Sequence, residues 1–250
     1  YDVDLRLRPS GQKGPVATQL SGFVDYQIKD AWTWEHLALT RARVVSGDPK
    51  LREKVEAAIR ETLVYPRDRS KVAADVREMR ARIAAEKGTD NIWNLKQVRG
   101  GLVDLEFIAQ FLQLVNAATF PEILDQNTCT AFQKLGAAGC LDQSEAEALI
   151  SGTRLIHDLT QVLRLCQDGI FDPAVAPKGL KELAANLLGE DSRKEQTEVR
   201  ASMVANGGST TKDNYEMYKA DPVGMPPKFI AMMKGGFPAL PADMLRQHLG

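Results

Sequence analysis

The sequence predicts a mainly α-helical protein that opens with a β-strand. Residues 1–9 alternate between apolar and charged side chains, which is the pattern of a half-buried strand. Pro9 lacks the amide proton that a β-ladder needs, so the strand is expected to end there. From residue 21 to residue 205, apolar residues instead recur every three or four positions, which is the spacing of one helix face.

The opening strand divides its side chains between two faces. Val3, Leu5 and Leu7 form the apolar face. The other face carries two carboxylates and two guanidinium groups, those of Asp2, Asp4, Arg6 and Arg8. This charged face is either an exposed edge with cross-strand ion pairs or the lining of a metal-nucleotide cleft, because carboxylates bind Mg²⁺ and guanidinium groups match phosphate oxygens. A single strand needs partners, so we expect the chain to be a piece of a longer protein whose other strands lie upstream.

The predicted helices follow one another along the rest of the chain. Gly47, Pro49 and Pro66 mark several of their ends, because glycine and proline interrupt the helical pattern. Residues 91–96 are predicted to be extended. The helices are predicted over residues 21–28, 31–45, 50–63, 70–87, 102–117, 124–135, 142–167, 179–188 and 191–205.

The helix predicted over residues 31–45 carries charged groups close to its apolar face. Glu35 is followed two turns later by Arg41 and Arg43. The pattern is typical of a Glu-Arg ladder on a solvated helix. It equally suits a pair of guanidinium groups directed at phosphates.

A glycine pair, Gly100 and Gly101, precedes the helix predicted over residues 102–117. Asp104 and Glu106 lie in the first turns of that helix, where carboxylates complement the helix dipole. The alternative interpretation is that the glycines let the backbone approach a ligand beside these two carboxylates.

The composition is that of an ordinary soluble globular protein. Of the 250 residues, 44% are hydrophobic and 26% charged, and the formal net charge of −1 does not favour a nucleic-acid or membrane surface. Cys129, Cys140 and Cys166 lack the spacing of a zinc site, so we expect reduced thiols in a cytoplasmic protein. No apolar run approaches the ~18 residues of a membrane span. The arginines of residues 67–82 have no interleaved aromatic residues, so they are interpreted as a solvated helix face.

Four motifs stand out in order along the chain: residues 2–11 (DVDLRLRPSG), 31–43 (AWTWEHLALTRAR), 77–80 (REMR) and 100–107 (GGLVDLEF). In order and spacing they resemble the motifs of the glutamine synthetase adenylyltransferases. The resemblance covers residues 1–203. The amino-acid sequences of residues 33–36, 44–49 and 199–202 are more similar to the C-terminal, adenylylating half of that bifunctional enzyme.

The resemblance implies a DNA-polymerase-β-like nucleotidyltransferase core, with one or more strands, followed by a helical bundle. It also implies an enzyme that transfers AMP from ATP to a tyrosine hydroxyl of glutamine synthetase, with Mg²⁺ bridging carboxylates and phosphates. Asp4 matches a metal-site carboxylate that helps to activate the tyrosine hydroxyl, and Asp2 lies beside it. Arg6 and Arg8 would neutralise phosphate charge. The further candidates for the site are Glu35, Arg41, Arg43, Lys96, Asp104 and Glu106.

The same resemblance predicts how the chain is divided. Residues 1–66 would form the C-terminal part of the nucleotidyltransferase domain, residues 67–205 the helical bundle domain, and residues 206–250 a tail rich in proline and methionine. In the family, a Gly-Ser loop and an Asp-x-Asp pair precede the position of Tyr1 and supply the first two metal ligands. The isolated chain is therefore expected not to transfer AMP.

Two other functions remain open. The helical part could be a non-catalytic module that binds glutamine synthetase or a signal protein of the PII type. The chain could also belong to a deadenylylating half, which removes AMP from the tyrosine with phosphate as the nucleophile. Glutamine synthetase and a PII-type protein are the predicted partners, ATP is the predicted substrate and Mg²⁺ the predicted cofactor.

Overall fold

The computed structural model describes Leu5 and residues 7–172, 174–184, 186 and 187. This part of the chain is mainly helical, as predicted, and contains no β-strand. Residues 178–184 are also helical, and short 3₁₀ turns occur at Gly11–Lys13 and Pro121–Ile123. The α-helices are α1 (Leu20–Lys29), α2 (Thr33–Leu39), α3 (Pro49–Val64), α4 (Arg69–Lys87), α5 (Leu102–Asn116), α6 (Thr128–Ala137) and α7 (Gln143–Cys166).

Capping residues explain where two of these helices begin. The Asp48 side chain accepts a hydrogen bond from the amide of Leu51 at 3.1 Å, and Pro49 takes the first helical position, where no amide proton is needed. The predicted helix over residues 50–63 is therefore confirmed as α3. The Asn127 side chain accepts from the amide of Thr130 at 3.1 Å, so α6 begins only at Thr128 and not at residue 124 as predicted.

The prediction of one helix over residues 31–45 is wrong. α2 ends at Leu39, because the amides of Arg41 and Ala42 bond to carbonyls three residues back, at 3.1 and 3.0 Å, rather than four. The chain turns there and leaves the helix axis. Arg41 and Arg43 therefore follow the helix instead of lying on one of its faces.

The extended segment predicted over residues 91–96 is also wrong, because these residues form turns. The Asn91 side chain accepts a hydrogen bond from the amide of Trp93 at 2.9 Å, and the Asn91 carbonyl accepts from the amide of Asn94 at 3.0 Å. Asparagine side chains that bond to the backbone two residues later favour turns over extended chain.

The strand predicted over residues 1–9 falls largely outside the described residues. Near its end the chain turns, because the amide of Gly11 donates to the carbonyl of Arg8 at 2.7 Å and Ser10 has a φ of 61°. Leu7 is 71% exposed. The strand, and the nucleotidyltransferase core that the family resemblance implies, stay predictions.

One compact unit contains residues 7–83 and 106–147 of the described chain. It includes α1, α2, α3 and α6 with most of α4 and α5. The guanidinium of Arg69 lies 5.4 Å from the ring centre of Phe111, which is a cation-π contact. The apolar helix faces of this unit meet in a core whose fully buried side chains include Leu37, Phe111, Leu112, Phe132 and Leu135.

A second compact unit contains residues 84–105 and the described residues from 148 onward. Most of α7 contributes to its core, through the buried side chains of Leu149, Ile156 and Leu159. Trp93 meets Phe171 edge to face, with 4.4 Å between the ring centroids, which is a favourable aromatic geometry. Among the described helices, none has both the length and the apolar character needed to cross a bilayer.

Candidate functional site

The residues predicted for the site divide into those that the structure describes and those that it does not. Asp2, Asp4 and Arg6 lie outside the described residues, so their roles stay predictions. The described candidates are Arg8, Glu35, Arg41, Arg43, Lys96, Asp104 and Glu106.

Arg8 uses its guanidinium to close the loop at the start of the chain. Its three nitrogens donate to the carbonyl oxygens of Leu5 at 2.5 Å, Gly14 at 3.2 Å and Gln12 at 3.5 Å. These bonds connect the Arg8 side chain to backbone groups on both sides of it in the sequence. A phosphate at Arg8 would have to compete with these backbone carbonyls for the same N-H groups.

Glu35 has two partners at the beginning of α2. One carboxylate oxygen accepts from the Tyr26 hydroxyl at 2.8 Å, and the other accepts from the amide of Trp32 at 2.9 Å. The second bond gives the amide of Trp32, the N-cap residue of α2, an acceptor that the helix itself does not provide. Burial, followed by the hydrogen bond to Glu35, raises the pKa of Tyr26. Glu35 therefore fixes α2 against α1 and leaves no oxygen of its carboxylate without a protein donor.

Two further contacts around α2 were not predicted from the sequence. Thr33 donates its hydroxyl proton to Asp75 of α4, and His36 Nε2 lies 3.0 Å from the carbonyl oxygen of Gln27. Burial, and next the charge of Arg67, lower the pKa of His36. A neutral imidazole with its proton on Nε2 therefore fits this site, because that nitrogen then donates to the carbonyl. These partners come from different helices, so no local sequence pattern indicates them.

Arg41 and Glu106 are brought together although they are 65 residues apart in the sequence. They form an ion pair between the segment that follows α2 and the first turns of α5. The carbonyl of the next residue, Ala42, accepts a hydrogen bond from Gln126 Nε2 at 2.9 Å. Arg43 is exposed to solvent. Of the two arginines, only Arg41 thus has its charge balanced by a carboxylate among the described residues.

Asp104 and Lys96 lie in the second compact unit. Asp104 is only 5% exposed, and its carboxylate accepts from the amide of Gly100 at 2.6 Å. The Lys96 side chain is exposed, while its carbonyl accepts from the amide of Val103 at 3.2 Å. These bonds tie the turn before α5 to the beginning of that helix, which is a structural use of the buried carboxylate.

Gly101 shows why a glycine is needed in this turn. A Cβ atom there would lie 2.5 Å from the carbonyl oxygen of Leu95 and 2.8 Å from that of Val98. Both distances are shorter than side chains tolerate against a backbone atom. Gly101 therefore approaches the backbone of the preceding turn closely. The approach to a ligand that the glycine pair suggested stays a prediction.

Two of the described carboxylates that were predicted for the site already have protein partners. Within the described ranges, no three His, Cys, Asp or Glu side chains cluster in a way that could hold a metal ion. Glu106 is paired with Arg41, and Asp104 accepts from Gly100. The Mg²⁺ site predicted at Asp2 and Asp4 lies outside the described residues and stays a prediction.

Two protein families match successive parts of the chain. Residues 1–58 match the family described as glutamate-ammonia ligase adenylyltransferase, and residues 70–205 match the family described as GlnD PII-uridylyltransferase. The first match ends within α3 and the second begins within α4. The domain boundary predicted at residue 66 stays a prediction.

Relatives with high sequence identity carry one name, bifunctional glutamine synthetase adenylyltransferase/adenylyl-removing enzyme. The protein of Rhodopseudomonas palustris strain BisB5 is 48% identical over 212 residues, which are 82% of this chain and 21% of the relative. That of strain HaA2 is 54% identical over 176 residues, 70% of this chain and 18% of the relative. That of Bradyrhizobium diazoefficiens is 50% identical over 185 residues, 74% of this chain and 19% of the relative. The chain, which spans about a fifth of the length of these relatives, therefore belongs to the glutamine synthetase adenylyltransferase family.

Proposed function

We propose that this chain is part of an enzyme that transfers AMP from ATP to a tyrosine hydroxyl of glutamine synthetase. The observation that carries the proposal is the identity of about half of the aligned residues with enzymes named for this activity. Because the chain spans about a fifth of those enzymes, the activity is proposed for the longer protein that contains it. The C-terminal, adenylylating half is the part to which we assign the chain.

The roles proposed for the opening residues follow from their chemistry. Asp2 and Asp4 supply carboxylate oxygens of the kind that Mg²⁺ prefers, and the bound ion would offset the negative charge of the triphosphate. Asp4 would accept the proton of the attacking tyrosine hydroxyl. Arg6 would contact phosphate oxygens. Arg8 is assigned both to the loop that it closes and to the phosphates.

Two described carboxylates support this proposal by holding the backbone in place rather than by taking part in the reaction. Glu35 and Glu106 use their carboxylates to fix α2 and the segment that follows it. Catalytic groups act best when the backbone that carries them is held before the substrate arrives. Glu35, which lies in the motif of residues 33–36, thus has a structural role at the beginning of α2.

The proposal is tested in the longer protein with ATP labelled at its α-phosphate. We expect label to pass to glutamine synthetase, and we expect Asp4→Asn to reduce the rate by at least about a hundredfold, which is the range for a general base. Arg60→Ala, at an exposed position on α3, is the matched control and should leave the rate unchanged. Equal rates for Asp4→Asn and the unaltered protein would remove Asp4 from the chemistry.

A second candidate function is favoured by the match of residues 70–205 to the PII-uridylyltransferase family. The helical region would then bind a PII-type signal protein, or glutamine synthetase itself, without taking part in the chemistry. The Asp4→Asn variant discriminates between the two functions. It should still bind its protein partners if the helices form the binding surface, and the dissociation constant can be measured by calorimetry. The deadenylylating alternative predicts that added phosphate attacks the adenylyl phosphorus of modified glutamine synthetase, which frees the tyrosine hydroxyl and releases ADP.

A further inference from the structure

The opening segment bends before the point where its strand was predicted to end. Leu7 and Arg8 both lie in a bend, whereas the sequence predicted a strand up to Pro9. Because side chains alternate between the two faces of a strand, an unbroken strand would present Arg8 on the same face as Asp4 and Arg6. The bends interrupt that alternation. Arg8 therefore leaves the predicted charged face, and its guanidinium contacts backbone carbonyls.

The Arg8 guanidinium joins backbone groups that precede and follow it in the sequence. Nη1 donates to the carbonyl of Leu5 at 2.5 Å, and Nε donates to the carbonyl of Gly14 at 3.2 Å. Leu5 lies between Asp4 and Arg6 in the sequence. Hydrogen bonds from a charged donor are about twice as strong as those between neutral groups. One side chain thus ties the backbone next to Asp4 to the loop that follows the predicted strand.

Residues 8–14, which we call the Arg8 loop, have a compact backbone. The amide of Gly11 donates to the carbonyl of Arg8 at 2.7 Å, and the amide of Gly14 donates to the carbonyl of Gly11 at 3.2 Å. A Cβ atom at residue 14 would lie 2.1 Å from the carbonyl oxygen of Pro9, so the loop closes in this way only around a glycine. The shape of the loop therefore places the Gly14 carbonyl beside Arg8.

The Arg8 loop contacts the helices through Tyr26 of α1. The Tyr26 hydroxyl donates to Glu35, at the beginning of α2, at 2.8 Å. Burial and the Glu35 carboxylate raise the pKa of Tyr26, and a backbone hydrogen bond with Ser10 opposes them. Ser10 therefore lies beside this hydroxyl. A continuous set of contacts thus joins these two helices to Ser10, Arg8 and the carbonyl of Leu5.

We infer that Arg8 is a positioning residue, which holds the backbone at Leu5 and thereby sets the position of Asp4 relative to the attacking tyrosine hydroxyl. The inference rests on the proposed function, because the role of Asp4 belongs to it. Of the two roles assigned to Arg8, closure of the loop then accounts for its effect on the reaction, and contact with the phosphates is left to Arg6. A displacement of about 1 Å at a reacting group can lower a rate about a hundredfold, so a backbone bond next to Asp4 has a measurable effect on turnover.

The first test separates turnover from nucleotide binding in the longer protein. Arg8→Met keeps the apolar stem and removes the donors, so we expect kcat for AMP transfer to fall at least about tenfold, while the dissociation constant of ATP, measured by calorimetry, changes less than about twofold. Arg6→Met should instead weaken ATP binding, because it removes a phosphate contact. Arg60→Met, at an exposed position on α3, should change neither quantity. An unchanged kcat in Arg8→Met, or ATP binding weakened about tenfold, would overturn the inference.

The second test displaces the loop without removing a charge. Gly14→Ala retains the Arg8 guanidinium, but the new Cβ atom forces apart the backbone that places the Gly14 carbonyl. We expect kcat to fall and the dissociation constant of ATP to stay unchanged, as in Arg8→Met. Gly22→Ala in α1 is the control, because a Cβ atom there meets only Thr18 Cγ2, at an ordinary contact distance of 3.5 Å. An unaltered kcat in Gly14→Ala would contradict the positioning role.

A double-mutant cycle with Asp4→Asn identifies the group that Arg8 positions. In the Asp4→Asn background, Arg8→Met should have no further effect on the residual rate, because the carboxylate that it places is gone. An equal fold-loss in both backgrounds would mean that Arg8 acts on another group or on the fold as a whole, and it would refute the inference. Arg8→Lys should recover only part of the rate, since one ammonium group does not reproduce the two bonds of the guanidinium.

These outcomes separate the inference from the proposed function. AMP transfer whose kcat is independent of Arg8 and Gly14 would refute the inference alone. No AMP transfer by the unaltered longer protein would refute the proposed function, on which the inference rests.

Discussion

The Arg67 side chain donates hydrogen bonds to backbone carbonyls at the end of α3, where a backbone amide donor is missing. The carbonyl of Thr62 would ordinarily accept from the amide four residues later, but that residue is Pro66, which has no amide proton. The Arg67 guanidinium donates instead to the carbonyls of Thr62 at 2.7 Å, Leu63 at 3.1 Å and Tyr65 at 2.8 Å. Burial lowers the pKa of Arg67 to about 10, which still leaves the group charged near neutral pH.

The size of the effect of Arg67→Met follows from these three acceptors. Methionine keeps the apolar stem of the side chain and removes only the donors. The bonds to Thr62 and Leu63 are partly buried, so each carbonyl left without a donor costs about 1 kcal/mol at the lower end of the usual range. The exposed carbonyl of Tyr65 can bond to water. We therefore expect a loss of about 2 kcal/mol in the free energy of unfolding.

Urea denaturation followed by circular dichroism measures this loss. Arg60→Met on the same helix is the control, because Arg60 is exposed and none of the described bonds uses its guanidinium. Arg67→Lys should lose about half as much, since one ammonium group cannot reach all three carbonyls. A loss below about 0.5 kcal/mol in Arg67→Met would refute the capping role, because it would be no larger than an ordinary surface substitution.

Three further predictions concern other parts of the described chain. Burial, and next the Arg67 charge, hold the pKa of His36 below its ordinary 6.5, so as the pH falls the unfolded chain takes up a proton before the folded one does. The stability that neutral His36 contributes should be complete above about pH 6.5 and decline below it. The urea midpoints measured at two pH values should therefore differ less in His36→Gln than in the unaltered protein. His157→Gln is the control. Asp104→Ala leaves the amide of Gly100 without its acceptor in a buried turn and should cost about 2 kcal/mol; an unchanged urea midpoint would contradict this. Asp48→Ala removes the N-cap of α3 and should cost about 1 kcal/mol, measured by the same midpoint, while Asp48→Asn should keep most of it.

Neighbouring residues in the sequence were sufficient to predict the end of a helix where a capping residue sets that end. Asp48 and Pro49 mark the start of α3, and both act in the structure as their chemistry predicts. The apolar spacing likewise located α4 and α5 to within one residue of their observed bounds. These features depend on neighbouring residues only, so the sequence contains the whole signal.

The end of α2 and the surroundings of the arginines depended on distant residues. Arg41 meets Glu106 and Ala42 meets Gln126 only after the chain has folded, so the helical spacing of residues 31–45 suggested a longer helix than the structure has. Pairing across 65 or 84 positions leaves no periodic signature. The resemblance to the adenylyltransferases selected both Arg41 and Arg43 as candidates, and it did not separate the arginine that is paired from the one that is exposed.

The direction in which AMP moves tests the central proposal most directly. Unmodified glutamine synthetase would be incubated with the longer protein and ATP, and the masses of its tyrosine-containing peptides would be measured. We predict that one such peptide gains the mass of AMP and that Asp4→Asn prevents the gain. No gain with ATP, together with loss of AMP from already modified glutamine synthetase when phosphate is supplied, would contradict the proposal and assign the chain to the deadenylylating half.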